Sequence, residues 1–219
     1  MTDFKPQFIL FDLDGTLTDS EEGILNSVKY ALEPHGIELP YDTLKKFIGP
    51  PLLEAFSEYA GLSPEESEKT VARYRERYST IGLFENRVYE GVPEMLRDIK
   101  NSGKKVILAT AKPLVYASRI LEHFDLSKYF DLQVGADFQG GIHNKDDVIA
   151  AVIKQAAIKD INDAVMIGDR HHDIEGAKKF GIKSIGVTYG FGDLEELQTA
   201  GADYIAHSPE QITALLLNV

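Results

Sequence analysis

The 219-residue sequence contains no cysteine. Disulfides, thiol nucleophiles and thiolate metal sites are therefore excluded. Tryptophan is absent and methionine occurs three times, so the ten tyrosines and eleven phenylalanines are read mainly as packing residues. Positive charge is in short supply. Lysine plus arginine number 23 against 35 acidic residues, for a formal net charge of -12. Such a surface disfavours nonspecific binding to DNA, RNA or anionic lipid, although a bound cation can reverse the sign locally and admit a small anion. Long apolar runs are missing too. The start, Met1-Thr2-Asp3-Phe4-Lys5-Pro6-Gln7, has no basic stretch leading into an apolar one, and Phe8 to Phe11 is too short for a signal peptide or a membrane span. The expectations are no nucleic-acid partner, no membrane association and a cytoplasmic location.

A globular composition is what remains, with 43% hydrophobic and 26% charged residues. A chain of this length buries about 70% of its extended surface and needs no staple to hold a core. Short apolar runs punctuate it: Phe8 to Phe11, Val106 to Ala109, Ala164 to Ile167 and Lys183 to Val187, with weaker ones at Leu132 to Val134 and Tyr204 to Ala206. Helical patterns lie between them, over Pro93 to Asn101, Lys112 to Phe124, Asp146 to Lys159, Asp173 to Phe180 and Pro209 to Leu217. Strands alternating with helices predict an α/β fold: a Rossmann-like, mostly parallel sheet flanked by helices, with ligands beyond the carboxyl ends of its strands.

Ser20 to Phe84 breaks that rhythm. It has no convincing strand, but helical faces at Leu25, Val28 and Leu32, over Leu52 to Tyr59 and over Glu65 to Tyr78. Ser63, three residues before Glu66, suits a capping box. The segment reads as an inserted all-helical cap. The expected division is residues 1–18 with 89–219 as core and 19–88 as cap.

Asp12 closes the first apolar run, and Asp14 follows two residues on. In extended geometry both carboxylates face one side. Two close carboxylates repel, and a divalent cation relieves them; all-oxygen ligands suit Mg²⁺. The alternative is an ordinary Asp-Gly turn. Thr110, at the end of Val106 to Ala109, either holds a phosphate oxygen or caps a helix. Lys145 either stabilises a neighbouring anion or is a solvated lysine on an exposed helix. Asp169 and Asp173, four apart after another strand, either join the cation site or begin a helix.

Asp12-Leu13-Asp14-Gly15-Thr16-Leu17 resembles the first motif of the haloacid dehalogenase-like hydrolases, in their phosphatase branch. Leu108 to Lys112 resembles the second motif, Lys145 the third and Ile167 to Ala177 the fourth. The resemblance implies that Asp12 is a nucleophile forming an aspartyl-phosphate. It implies that Asp14, acting also through its backbone carbonyl on the metal, serves as general acid and then base. Thr110 then orients phosphate, Lys145 neutralises charge, and Asp12, Asp14, Asp169 and Asp173 hold Mg²⁺, with Asp173 acting directly, through water or by holding Lys145. Asp14 argues against dehalogenation, and Thr16 leans away from phosphomutases. Many relatives carry proline after the third-motif lysine. Asp146 stands there instead, which turns the resemblance toward nucleotidase or general phosphatase members.

The implied activity is Mg²⁺-dependent hydrolysis of a small phosphorylated metabolite, either phosphoglycolate-like or a nucleoside monophosphate. The alternatives are a sugar phosphomutase, a pyrophosphatase or a non-catalytic binding protein. Lys112 is the competing cation for the place given to Lys145. His171 and His172 are set aside as metal ligands, because neighbouring residues diverge on a helix. Gly190-Phe191-Gly192 reads as a loop near the cap rather than a dinucleotide fingerprint. Specificity is expected in the cap, with Asp19, Ser20, Gly49, Arg73 and Arg75 as candidates.

Overall fold

The computed structural model describes residues 4–137 and 141–217. Its contacts divide the chain into two compact units, Met1–Asp19 with Val88–Val219, and Ser20–Arg87. The strands are β1 (Phe8–Phe11), β2 (Thr18–Asp19), β3 (Arg87–Val88), β4 (Lys105–Pro113), β5 (Leu132–Ala136), β6 (Ala164–Gly168), β7 (Lys183–Val187) and β8 (Tyr204–Ala206). The helices are α1 (Glu21–Leu32), α2 (Tyr41–Lys45), α3 (Leu52–Ala60), α4 (Pro64–Arg77), α5 (Val92–Asn101), α6 (Leu114–His123), α7 (Lys145–Gln155), α8 (His171–Lys179), α9 (Leu194–Ala200) and α10 (Pro209–Leu217).

Six strands form one sheet in the order β5-β4-β1-β6-β7-β8, and every neighbouring pair runs parallel. β2 and β3 pair separately. The larger unit is therefore a mixed α/β, Rossmann-like core. Its inner strands are continuous apolar runs because both faces are covered. On one face Leu10, Ile107, Ala109, Val134 and Met166 pack with Val148, Ile149 and Val152 of α7 and Ala177 of α8. The alternate residues Ile9, Phe11, Val106, Leu108, Val165 and Ile167 are as deeply buried.

Register decides where chemistry can collect. Phe11 lies opposite Leu108 on one side and Ile167 on the other. Asp12, Thr110 and Asp169 therefore stand at the same carboxyl edge, around the sheet's central strand.

Several element boundaries differ from the sequence reading, among them those of α6 and α7. The helix expected to begin at Lys112 begins at Leu114, because the strand runs on to Pro113. A residue preceding proline is pushed out of the helical region, so Lys112 stays extended. The helix expected over Asp146 to Lys159 starts one residue earlier and stops at Gln155; Ala157, at φ 52°, turns the chain away.

From Ser20 to Asn86 the smaller unit is helix and turn, and α4 packs on both α1 and α3. Ser63 makes the capping box with Glu66. The turn Tyr78–Gly82 is π-helical, which the spacing did not reveal. Arg73, a candidate for substrate contact, stacks 3.9 Å from the Tyr30 ring centroid and donates to the Tyr30 carbonyl at 3.0 Å and to Glu33 at 3.3 Å. Its guanidinium is thus occupied in holding α4 against α1 and the turn that follows.

Candidate active site

Asp12 stands where β1 ends, its N–H donating to the Ile167 carbonyl at 2.9 Å. The chain then folds back on itself. The Gly15 N–H donates to the Thr18 carbonyl at 2.8 Å and the Leu17 N–H to the Leu13 carbonyl at 2.9 Å. Gly15 adopts φ 80°, and a Cβ there would lie 2.1 Å from Asp169 Oδ2. Any other residue would push Asp169 out of place.

Asp169 follows β6 and is wholly buried. It accepts from Thr16 Oγ1 at 3.3 Å and from the Phe191 N–H at 2.8 Å. Asp173 lies in the first turn of α8, also buried, and accepts from the Arg170 N–H at 3.2 Å. One oxygen from each of Asp12, Asp169 and Asp173 falls within 4.8 Å of the others. Burial, then the charges of Asp173 and Asp12, hold the Asp169 carboxyl well above its ordinary range. Burial also raises Asp173, to about 6, against the pull of Lys145.

Lys145 opens α7, whose N-cap Asn144 accepts from the Asp147 N–H at 3.0 Å. It is only 6% exposed. Its Nζ lies 2.8 Å from Asp12 Oδ1, 2.7 Å from Asp173 Oδ1 and 2.9 Å from the Ala109 carbonyl. The contacts to Asp12 and to the Ala109 carbonyl are hydrogen bonds, and the contact to Asp173 is an ion pair. Burial works against its charge, but the carboxylates of Asp12 and Asp173 outweigh that and raise its pKa. The solvated-lysine alternative is thereby set aside.

A family model for haloacid dehalogenase-like hydrolases matches residues 9–187. The chain belongs to that family. It is an enzyme of the phosphatase branch, whose members of this type carry a helical cap. Among similar proteins, a 5'-nucleotidase from Pseudomonas aeruginosa is 41% identical over 207 residues, covering 94% of this chain and 90% of its own. The tyrosine-protein kinase PtkA of Mycobacterium tuberculosis is 35% identical over 206 residues, 93% of this chain and 69% of its own. The crystal structure of a predicted phosphatase from Clostridium acetobutylicum superposes with a TM-score of 0.91 at 44% identity, covering 98% of this chain and 100% of that one.

In this haloacid dehalogenase-like site Asp12, Lys145, Asp169 and Asp173 come together, and Asp173 meets Lys145 directly. The carboxylate of Asp14 stands outside their cluster. It pairs instead with Lys112, Nζ to Oδ2 at 2.7 Å, and its Oδ1 is buried with no hydrogen-bond partner among the described residues. Lys112 thus serves Asp14, not the place given to Lys145. Thr110 is buried, and its Oγ1 accepts from the Lys112 N–H at 3.2 Å. It caps no helix, since α6 starts four residues later.

The sequence reading took Gly190 to Gly192 as a loop near the cap and did not place it at the site. A Cβ on Gly190 would lie 2.1 Å from the Gly15 carbonyl oxygen and 2.5 Å from Asp169 Cβ, and Tyr189 Oη donates to the Thr16 carbonyl at 2.9 Å. The loop packs on the Asp12 turn and on Asp169. Its paired glycines were the available signal. The two histidines also depart from expectation. Their ring centroids are 3.8 Å apart rather than divergent. His171 begins α8 and turns its Nδ1 to Glu196, 2.6 Å away.

Proposed function

We propose that this enzyme is a Mg²⁺-dependent phosphatase for a small phosphomonoester, working through a phosphoryl group carried on Asp12. The observation that carries this reading is the triple engagement of Lys145, which holds one Asp12 oxygen while the cluster with Asp169 and Asp173 gathers on that same carboxylate. The donor set fits Mg²⁺: three carboxylates, two of them buried, with no nitrogen or sulfur donor in the cluster. The raised Asp169 and Asp173 carboxyls show how strongly the cluster seeks positive charge. Asp12, Asp169 and the Asp14 backbone carbonyl would hold the ion, with Asp173 beside them. Its chemical contribution is to neutralise charge on the phosphoryl oxygens.

In the first step an Asp12 carboxylate oxygen attacks phosphorus in line. The P–O bond to the leaving group breaks, and Asp14, protonated on one oxygen, gives that proton to the departing oxygen. In the second step water attacks phosphorus, its proton passes to the Asp14 carboxylate, and the acyl-phosphate P–O bond breaks to release phosphate and restore Asp12. Thr110 orients a phosphoryl oxygen. Lys145 holds Asp12 in position and offsets charge on the transferred group. The buried Asp14 oxygen, without a hydrogen-bond partner among the described residues, suits a proton-carrying role.

Similarity to a 5'-nucleotidase over nearly the whole chain favours nucleoside monophosphates over phosphoglycolate as the substrate class. A second reading rests on the likeness to a tyrosine-protein kinase: the Asp12 phosphoryl group would pass to an acceptor hydroxyl rather than to water. The test is phosphate release from nucleoside monophosphates, phosphoglycolate, sugar phosphates and pyrophosphate, each with Mg²⁺, with chelator and with Asp12→Asn. Mg²⁺-dependent release, highest on a nucleoside monophosphate and reduced by at least about 10⁴-fold in Asp12→Asn, is the expected result. Equal release by the variant would overturn the role of Asp12. Phosphate appearing on an added acceptor rather than in solution would favour the transferase reading.

A further inference from the structure

We propose that His171, His172 and Glu175 form a second metal site, taking a borderline divalent ion of the Zn²⁺ class, apart from the carboxylate cluster. The residues occupy one helical patch: Glu175 is four residues from His171 and three from His172, the two separations that share a face. One ligand atom from each lies within 4.8 Å of the others. The two imidazoles lie side by side, tilted by 46° with 3.8 Å between ring centroids, so neither is turned away from the patch.

The surroundings prepare one ring for ligation. Glu196 Oε1 accepts from the Arg170 Nε–H at 2.9 Å and from the His171 backbone N–H at 2.9 Å, and lies 2.6 Å from His171 Nδ1. An oxygen already accepting two hydrogen bonds is an acceptor for the ring as well, so the His171 proton sits on Nδ1. With Nδ1 turned to Glu196, Nε2 is the ring atom left for a metal. A carboxylate behind the outer ring nitrogen is the usual support of a metal-binding histidine.

A cavity of about 370 Å³ opens beside the patch, lined by His171, Glu175, Asp193, Glu195 and Glu196. It draws cations and leaves room for water or a small ligand to complete the coordination. The amino end of α8 opposes a cation, but with only about half an elementary charge, against several whole carboxylates. Two imidazoles and one carboxylate with open positions suit Zn²⁺, Ni²⁺ or Co²⁺, whereas three carboxylates suit Mg²⁺. The two sites therefore sort ions by donor chemistry.

The test is calorimetric titration of the untagged full chain with Zn²⁺ in excess Mg²⁺. It is repeated on His172→Ala, Glu175→Ala, Glu196→Gln, Asp169→Asn and the remote control His143→Ala, with each variant's fold checked by circular dichroism. The expected result is one Zn²⁺ per chain. Affinity falls by at least about tenfold in His172→Ala, Glu175→Ala and Glu196→Gln, and is unchanged in His143→Ala and Asp169→Asn. Equal affinity in folded His172→Ala and Glu175→Ala, loss of binding in Asp169→Asn alone, or no Zn²⁺ binding by the unaltered chain would each overturn the proposal.

Discussion

The two compact units use ion pairs in opposite ways. In the helical unit, Arg77 makes a bidentate bond to Glu85, both contacts 2.7 Å, and Arg73 reaches Glu33; each pair joins elements that are already helix or turn. In the α/β unit, Lys145, Asp169 and Asp173 are buried at the sheet's carboxyl edge, where Asp12 and Asp173 share one ammonium and Asp169 adds a third carboxylate to the cluster. The first arrangement is balanced, one cation to one anion, and serves packing. The second is short of positive charge, and a folded chain retains such an imbalance where it serves chemistry.

The largest effect is expected from removing the cation at the centre of each arrangement. Lys145→Met leaves Asp12 and Asp173 buried without their partner. Without divalent ions it is expected to cost about 3–5 kcal/mol in denaturant unfolding, and phosphate release at saturating Mg²⁺ is expected to fall at least about a hundredfold. Arg77→Ala removes a cation from the balanced pair. Its side chain is 18% exposed, so the expected cost is smaller, about 1–2 kcal/mol, read as a shifted unfolding midpoint. If the two variants lost equal stability, the contrast would fail.

Acidity tests the imbalance directly. The Asp173 carboxyl is raised from 3.8 to about 6, so the folded chain holds that proton more tightly than the unfolded one. Its contribution to stability is therefore present below about pH 4 and lost as the pH climbs to about 6. Asp169, raised for the same reasons, acts in the same direction. Lys145, raised above the ordinary lysine range, loses its contribution only in strong alkali. In chelator, the melting temperature is expected to fall between pH 4 and 6, and added Mg²⁺ is expected to raise it more at pH 7 than at pH 5. A Mg²⁺ effect independent of pH would contradict the carboxylate origin of the imbalance. The smallest expected effect is in the helical unit again. Ser63→Ala removes one half of the capping box and is expected to cost about 1 kcal/mol, with kcat unchanged.

Much of the α/β unit was legible in the sequence because buried parallel strands announce themselves as short apolar runs, each ending in the residue that matters. Phe8 to Phe11 delivers Asp12, and Ala164 to Gly168 delivers Asp169. What stayed hidden depends on contacts far apart in the chain. Nothing local says that Lys112 reaches Asp14 across 98 positions, or that the Phe191 N–H closes on Asp169. Pro113 did hold the clue to the long β4, since it keeps Lys112 extended, but the apolar pattern of α6 masked it. The side-by-side rings of His171 and His172 were not foreseen because helix geometry was applied to a residue at the helix's first position, where Glu196 from α9 directs the ring. The π turn at Tyr78–Gly82 leaves no periodic signature, being a single turn.

The proposed mechanism stands or falls on whether the phosphoryl group is carried on Asp12. The most direct measurement is rapid acid quench of the Mg²⁺-loaded enzyme during turnover of its best phosphomonoester, followed by mass spectrometry of the peptide that contains Asp12. One phosphoryl group is expected on Asp12, formed and lost at rates compatible with phosphate release, and absent from Asp12→Asn. A phosphoryl group on any other residue, or steady turnover with Asp12 never modified, would contradict it.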